Sequence, residues 1–425
     1  MTEYYHAHRV IPDRCSGHMR CMRHCPTQAI RVRDGKAVIA QELCVDCGTC
    51  LSVCPAGAIA ASADPVGQLS HFRYRVVVPS PVLYSQFEPS IHPYIVHLAF
   101  QRLGFNEVAD VTASATELAS ALALYMKAHR GRLPLISSNC PSILRLIQVK
   151  YPDLVELIMP LDVPQEVTAR EARRALTSAG GFREEDIGVL YIAPCPAMIV
   201  ATRQPAEKPR SWFDGVMSIR DVYSVLLPHV MAIKQQFDLG DVPEGFVFDA
   251  GWVGVGGIAW AAKMERSLVV SGVDHVMKTL DDIENSRLRN VDFVEVQAHM
   301  LGCLSGPFTV ENPYVARANS LRQAQLYERE VQVNDGDVAQ KLETGYFSLE
   351  HPVLPRPSVY FDTDLETSIK RMRERDRIYH SLRQIDCGCC GAPTCMAFAE
   401  DCVRGRADLA DCVFIGDRRR GGEAG

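Results

Sequence analysis

Sixteen cysteines divide this chain before any other feature is read. Seven lie between Cys15 and Cys54, six between Cys387 and Cys412, and only Cys140, Cys195 and Cys303 fall in the long interval between. The opening residues, MTEYYHAHRVIPDRC, contain no apolar core and no small-residue cleavage site. No export signal is therefore read, and a cytoplasmic location is expected. Tight C-x-x-C spacing in that setting favours metal ligation over disulfides. Thiolate is the ligand form of cysteine, and soft sulfur selects iron–sulfur clusters, zinc or copper(I). The 425 residues allow about three domains, and the cysteines suggest where they fall. A metal domain is expected over 1–64, an α/β body over 73–345, a Pro-rich connector with a basic helix over 346–380, and a second metal domain over 381–416. The last residues, GDRRRGGEAG, read as a flexible tail. A net charge of −6 leaves no overall basic footprint for nucleic acid. No uncharged apolar run reaches the length of a membrane span.

The first dense group repeats a spacing. Cys44, Cys47, Cys50 and Cys54, followed by Pro55, complete C-x2-C-x2-C-x3-C-P; Cys15, His18, Cys21 and Cys25, followed by Pro26, make the same run with His18 in second place. A short apolar piece follows each run, AIRV and AIA. Roughly the first 63 residues thus resemble a two-[4Fe–4S] ferredoxin. In that pattern the fourth cysteine of each run ligates the other run's cluster. The resemblance implies one cubane on Cys44, Cys47, Cys50 and Cys25, and another surrounded by Cys15, His18, Cys21 and Cys54. Two readings of His18 stand. As a neutral imidazole ligand it would raise the cluster's potential, as histidine does in Rieske centres; otherwise the site is a [3Fe–4S] or labile cluster. Zinc is not expected, because its cysteine pairs are usually separated by longer loops.

The body alternates β-type apolar runs with helical patterns, which predicts a mostly parallel α/β layer structure. Strands are expected at Tyr74–Pro79, Leu133–Ser137, Gly188–Ala193, Gly245–Asp249 and Val291–Gln297. Helices are expected at Tyr94–Leu103, Ala113–Arg130, Pro141–Tyr151, Glu166–Ser178 and Ile219–Lys234. Three strands lead to a cysteine: LISSNCP at Cys140, VLYIAPCP at Cys195 and VEVQAHMLGC at Cys303. Ligands in open α/β sheets sit at the carboxyl ends of strands. One buried cysteine is usually an inert small hydrophobe, but three in the same kind of position point to a convergent site.

These three segments resemble the signature stretches of [FeFe]-hydrogenases: T-S-C-C-P, M-P-C-x-x-K and E-x-M-A-C-x-x-G-C. VVVPSPVLYSQF, LGFNEVADV and CLSGPFTVENPYVAR extend the likeness over roughly 74–320. The resemblance implies a two-lobed, mostly parallel α/β body. It also implies a [4Fe–4S] cubane on Cys140, Cys195 and Cys303, with His299 in the place of the fourth cysteine. His299 has a second reading, a core histidine with a backbone partner. In the family the last cysteine bridges to a diiron unit carrying CO and CN. Here Asn139 stands in place of the proton-relay cysteine, and an amide does not titrate near neutral pH. Met198 replaces the lysine that contacts a cyanide, losing a charged donor. Gln297 departs too, and Leu-Ser-Gly-Pro follows Cys303 where the family has a glycine run. These losses argue against fast hydrogen turnover and liken the chain to the sensory or regulatory branches of the family.

Cys387, Cys390, Cys395 and Cys412 make C-x2-C-x4-C-x16-C, with Cys389 and Cys402 spare. This resembles the small [4Fe–4S] domain of corrinoid iron–sulfur proteins and of some hydrogenase-like sequences. A four-cysteine zinc site is the alternative. MAFAEDCVRGRADLA reads as a helix turning at Gly405. Upstream, SIKRMRERDRIYHSLRQ reads as an amphipathic helix packing the last domain onto the body, with Leu365, Ile369, Met372, Tyr379 and Leu382 near one face. Docking of an acidic redox partner there is the sharper alternative. Gly254, Gly256 and Ala259 mimic a dinucleotide fingerprint, which is weak when it stands alone.

About four [4Fe–4S] clusters are expected, without a diiron unit. Three functions compete: an electron-transfer or redox-sensing subunit, a slow hydrogenase, and an oxidoreductase subunit using the His299 cubane for substrate chemistry. A redox partner is expected, either a ferredoxin or a larger electron-transfer complex.

Overall fold

A computed structural model describes residues 4–67, 72–129, 131–178, 180–329, 331–356 and 364–415. The proposed tail from 416 and residues 357–363 of the connector region lie outside the described residues. The chain forms two compact units. One joins Met1–Ala61 to Arg356–Gly425, and the other is Ser62–Pro355. Among the described residues no helix is long and apolar enough to cross a membrane.

The first unit contains a pseudo-twofold ferredoxin-like segment. Strand β1 (His8–Val10) pairs antiparallel with β4 (Ile59–Ala61), and β2 (Ile30–Arg33) with β3 (Lys36–Ile39). The β2–β3 turn is Asp34-Gly35, with φ of +49° and +71°; positive φ at both positions is the twist a two-residue hairpin requires. Each cysteine run enters a short helix, Arg20–Arg23 or Thr49–Val53, after a left-handed residue, Met19 or Gly48. The repeat extends to single bonds: Ile11 N–H donates to Ala58 O and Ala40 N–H to Ala29 O, both at 2.7 Å.

The C-terminal segment belongs to the same unit. Its helices Leu365–Ser381 and Cys395–Val403 pack together, and Leu382, Ala392 and Phe398 form a small core. The basic helix thus spends its apolar contacts on its own segment near Ile378 and Leu382, while Leu365, Ile369 and Met372 remain exposed. The turn at Gly405 is present, with φ +69°.

The second unit holds two parallel sheets. One runs β6 (Glu107–Val108), β5 (Tyr74–Pro79), β8 (Ile187–Ala193), β9 (Gly215–Ser218); the other runs β10 (Ser267–Ser271), β11 (Phe293–Gln297), β7 (Leu135–Ile136). Every residue of β8 is buried, as a central parallel strand covered on both faces requires. Helices Pro93–Arg102 and Ile219–Lys234 share a core with the first sheet around Phe100, Ile192 and Leu226. Helix Thr112–Ala128 packs Leu118 and Leu122 against Leu135 and Phe293 of the second.

The predicted helices form with shifts of a residue or two at their ends, and Ile219–Lys234 is reproduced. Gly245–Asp249 is not a strand. Phe248 is buried, but its carbonyl accepts from Arg329 N, and Asp249 N donates to the Thr112 hydroxyl. These backbone groups are satisfied without a strand partner. The edge strands β6, β9 and β10 escaped the sequence reading because they are short or only partly buried.

Glycine at 306 is demanded by packing alone. A β-carbon there would lie 2.3 Å from the Pro194 carbonyl oxygen, which also accepts from Phe308 N at 2.9 Å. This approach joins the turn bearing Cys195 to the turn bearing Cys303. Gly306→Ala should destabilise the chain by about 1–3 kcal/mol; chemical denaturation will test it, and an unchanged midpoint would contradict the contact.

Candidate metal centres

The ferredoxin-like runs bring their sulfurs into two neighbouring groups. Cys15, His18, Cys21 and Cys54 line one cavity, beside Val32 and Ala37. Burial raises the Cys21 thiol, and Cys54 and Cys15 add to the rise. His18 is exposed, and its Nδ1 lies 2.8 Å from the Ser16 hydroxyl. With Nδ1 engaged, Nε2 is the nitrogen left for a metal. In the other group, burial pushes Cys47 up to about 11, with Cys25 contributing. Burial also raises Cys50, with Cys47 and Cys25 adding to it; in Cys44, Asp46 adds to burial, followed by Cys47 and Cys50. Each fourth cysteine thus lies among the thiols of the opposite run.

Backbone amides point at these sulfurs in matched pairs. Ala29 N donates to Cys25 Sγ at 3.2 Å and Ala58 N to Cys54 Sγ at 3.3 Å; Ala37 N reaches Cys15 Sγ at 3.3 Å. Such donors stabilise anionic sulfur and tune a bound cluster. Thiols that raise one another, yet face amide donors, suit a centre supplying positive charge.

Asp46, between Cys44 and Cys47, was missed in the sequence. It is buried, and burial opposes its charge. Bonds from His6 Nδ1 at 2.7 Å and His8 Nδ1 at 3.0 Å nevertheless hold its carboxyl well below the usual range. Ala7 N donates to it at 3.0 Å. The donor atoms of His6, Cys44 and Asp46 lie within 4.8 Å of one another, but Cys44 already belongs to the thiol group. The only sequence trace of this network is H-A-H at 6–8 and an aspartate inside a cysteine run.

In the second unit the three solitary cysteines converge where strands of both sheets end. Cys140 follows β7 and precedes helix Pro141–Lys150; Cys195 follows β8 and precedes helix Ala197–Arg203; Cys303 lies in the turn Gly302–Ser305 after β11. Burial pushes Cys195 well up, with Cys303 and Cys140 adding to it. Burial, Cys140 and Glu295 push Cys303 up to about 12. Burial also raises Cys140. His299 sits on the same turn, and its carbonyl accepts from Gly302 N at 3.0 Å.

Asn139 and Met198 line one cavity together with Tyr191, Glu166 and Glu207. Glu166 accepts from the Ser211 hydroxyl at 2.5 Å and from Trp212 N at 3.0 Å. Lys208 turns to Asp162, at 2.7 and 2.9 Å, and approaches Glu166 at 3.5 Å. The apparent dinucleotide fingerprint is closed by a carboxylate of the protein itself. Glu295, fully buried on β11, accepts from Gly256 N at 3.1 Å and Ala259 N at 2.9 Å. Those amides cradle Glu295 instead of a pyrophosphate.

In the C-terminal segment Cys387, Cys390, Cys395 and Cys412 line one cavity with Leu382 and Phe398. Burial raises Cys390, with Cys387 and Cys412 contributing. Cys389 is exposed. Cys402 lies on helix Cys395–Val403, and its thiol is pushed up to about 11 by burial and by Asp401, Asp411 and Asp408.

Residues 73–243 match the family described as the iron-only hydrogenase large subunit, C-terminal domain. Residues 7–55 match a 4Fe–4S dicluster domain, and 382–414 an Fe–S cluster family. The NADP-reducing hydrogenase subunit HndD of Solidesulfovibrio fructosivorans is 24% identical over 186 residues, which are 37% of this chain and 31% of that protein. The corrinoid/iron–sulfur protein large subunit of Moorella thermoacetica is 44% identical over 43 residues, 10% of each chain. A solved [FeFe]-hydrogenase of Chlamydomonas reinhardtii superposes with a TM-score of 0.45 at 16% identity, over 69% of this chain and 94% of that one. The chain spans about a third or less of the length of these curated relatives. With a dicluster segment before the region that matches the iron-only hydrogenase family and an Fe–S segment after it, the chain is an iron–sulfur protein of several clusters whose residues 73–243 are similar to the iron-only hydrogenases.

Proposed function

We propose that the chain is an electron-transfer subunit whose hydrogenase-derived body keeps a [4Fe–4S] cubane without a working diiron unit. The ligands of that cubane are Cys140, Cys195, Cys303 and His299. Cys44, Cys47, Cys50 and Cys25 hold one ferredoxin-type cluster, and Cys15, His18, Cys21 and Cys54 surround the other. Cys387, Cys390, Cys395 and Cys412 hold the last. A bound cubane supplies one-electron chemistry; the protein supplies sulfur, amide donors and burial.

The observation that carries this reading is the pair Asn139 and Met198 on one cavity with Glu166 and Glu207. In a hydrogenase these two positions supply a proton relay and a cation for cyanide. An amide and a thioether supply neither. Burial raises Glu166 and Glu207. Arg145 in the same lining donates through Nη2 to the Gln204 carbonyl at 2.9 Å. HndD is a subunit of an NADP-reducing hydrogenase by name, which supports a redox partner within a larger assembly for this chain also.

Anaerobically purified chain should contain about sixteen irons with matching sulfide, and its infrared spectrum should lack CO and CN bands. Bound CO and CN would establish the hydrogenase reading instead, and about eight irons with zinc would overturn the four-cluster scheme.

His18→Cys places a thiolate where a neutral imidazole or no ligand now stands. The added negative charge should lower that cluster's potential, read by EPR-monitored titration. If His18 is not a ligand, the wild type should instead show a three-iron signal that the cysteine variant converts to a four-iron one. A variant identical to wild type in both respects would remove position 18 from the site.

A further inference from the structure

The C-terminal cysteine loop is bonded to the ferredoxin-like segment more than three hundred residues earlier. Val32 N on β2 donates to Gly391 O at 2.8 Å, and a β-carbon on Gly391 would fall 1.8 Å from the Val32 carbonyl oxygen. Arg33 Nη1 donates to the Cys390 carbonyl, and Arg23 Nη2 to the Cys387 carbonyl at 3.1 Å. Asp401, 3% exposed, takes Arg31 Nε at 2.6 Å and Arg33 Nη2 at 2.9 Å through the same oxygen. Thr394 and Gln28 add a bond at 3.1 Å, and Arg406 pairs with Glu42. Arg23 lies two residues from both Cys21 and Cys25, so a single side chain separates the ferredoxin ligands from the Cys387 peptide.

We infer that the ferredoxin-like segment sets the reduction potential of the C-terminal centre, with Arg33 and Arg23 as positioning residues that raise it. The inference rests on the reading that Cys387, Cys390, Cys395 and Cys412 hold a cluster. Reduction adds one negative charge to a cluster, and potentials of a given cluster type follow nearby charge, hydrogen bonds and exposure. A guanidinium held against a ligand's peptide favours the reduced form by Coulomb attraction. Two guanidiniums and one carboxylate leave the Arg31–Arg33–Asp401 group with one net positive charge. Burial of Arg31 and Asp401 limits screening by salt. Asp386 accepts from Cys395 N at 2.6 Å and acts in the opposite sense, but it lies in the C-terminal segment and is the same in every variant compared. Arg31 and Asp401 are unsuitable for mutation, since breaking a buried pair strands a charge. Arg33, a quarter exposed, and exposed Arg23 are suitable.

The test is a dithionite titration of the full chain followed by EPR, with Cys390→Ala identifying the C-terminal signal by its loss together with that cluster's iron. Arg33→Gln should shift the midpoint of that signal alone to lower potential at unchanged iron content. Arg33→Lys should restore part of the shift, and Arg23→Gln should shift it in the same direction by less. An Arg33→Gln midpoint equal to wild type, or equal shifts in every cluster, overturns the inference. Should Arg33→Gln lose the iron of that site, Arg23→Gln decides by the same criterion. If Cys390→Ala costs no iron, the cluster reading itself fails, which is a different result from an unmoved midpoint.

Discussion

Sulfur buried beside sulfur is a costly arrangement, because each thiolate raises its neighbours and burial raises them all. This chain accepts that arrangement in both of its units. The groups around Cys21, Cys47, Cys195 and Cys390 each contain thiols raised by burial and by one another. A cluster of iron bound there would reverse the sign of that interaction and couple metal binding to folding. The surrounding structure places amide donors on the sulfurs and holds the loops that carry them.

The body shows how this demand acts through a sheet. Parallel strands deliver their following residues to one edge, and there Cys140, Cys195 and Cys303 meet. Backbone contact between Gly306 and Pro194 draws two of these turns together. Glu295, adjoining the same site, is satisfied by the amides of Gly256 and Ala259 and so ties β11 to the glycine-rich stretch. Asn139 and Met198 line a cavity beside these turns.

The first unit applies the same physics to assembly. A buried Arg31–Asp401 pair is weak evidence of stability, since desolvation offsets attraction. Its value lies in registration: two arginines and a glycine without room for a β-carbon admit one seating of the cysteine loop on β2.

Local chemistry was legible in the sequence. Doubled cysteine spacing, apolar runs such as Gly188–Ala193 and three strand-tip cysteines specify ferredoxin-like halves and a parallel α/β body, because each depends on neighbours a few residues away. Gly245–Asp249 misled because apolar character alone does not supply a strand partner. The His6–Asp46–His8 network, the closure of Gly256 and Ala259 by Glu295, and the seating of Cys390 against Arg33 were not legible. Their partners lie tens to hundreds of residues apart, and a hydrogen bond or ion pair between such residues exists only once the chain has folded them within about 3 Å of each other. Sequence alone therefore determined which residues offer sulfur and in what local spacing. Tertiary structure decided which sulfurs share a cavity and which charges stand beside them, because electrostatics depends on distance through space and spacing along the chain does not determine it.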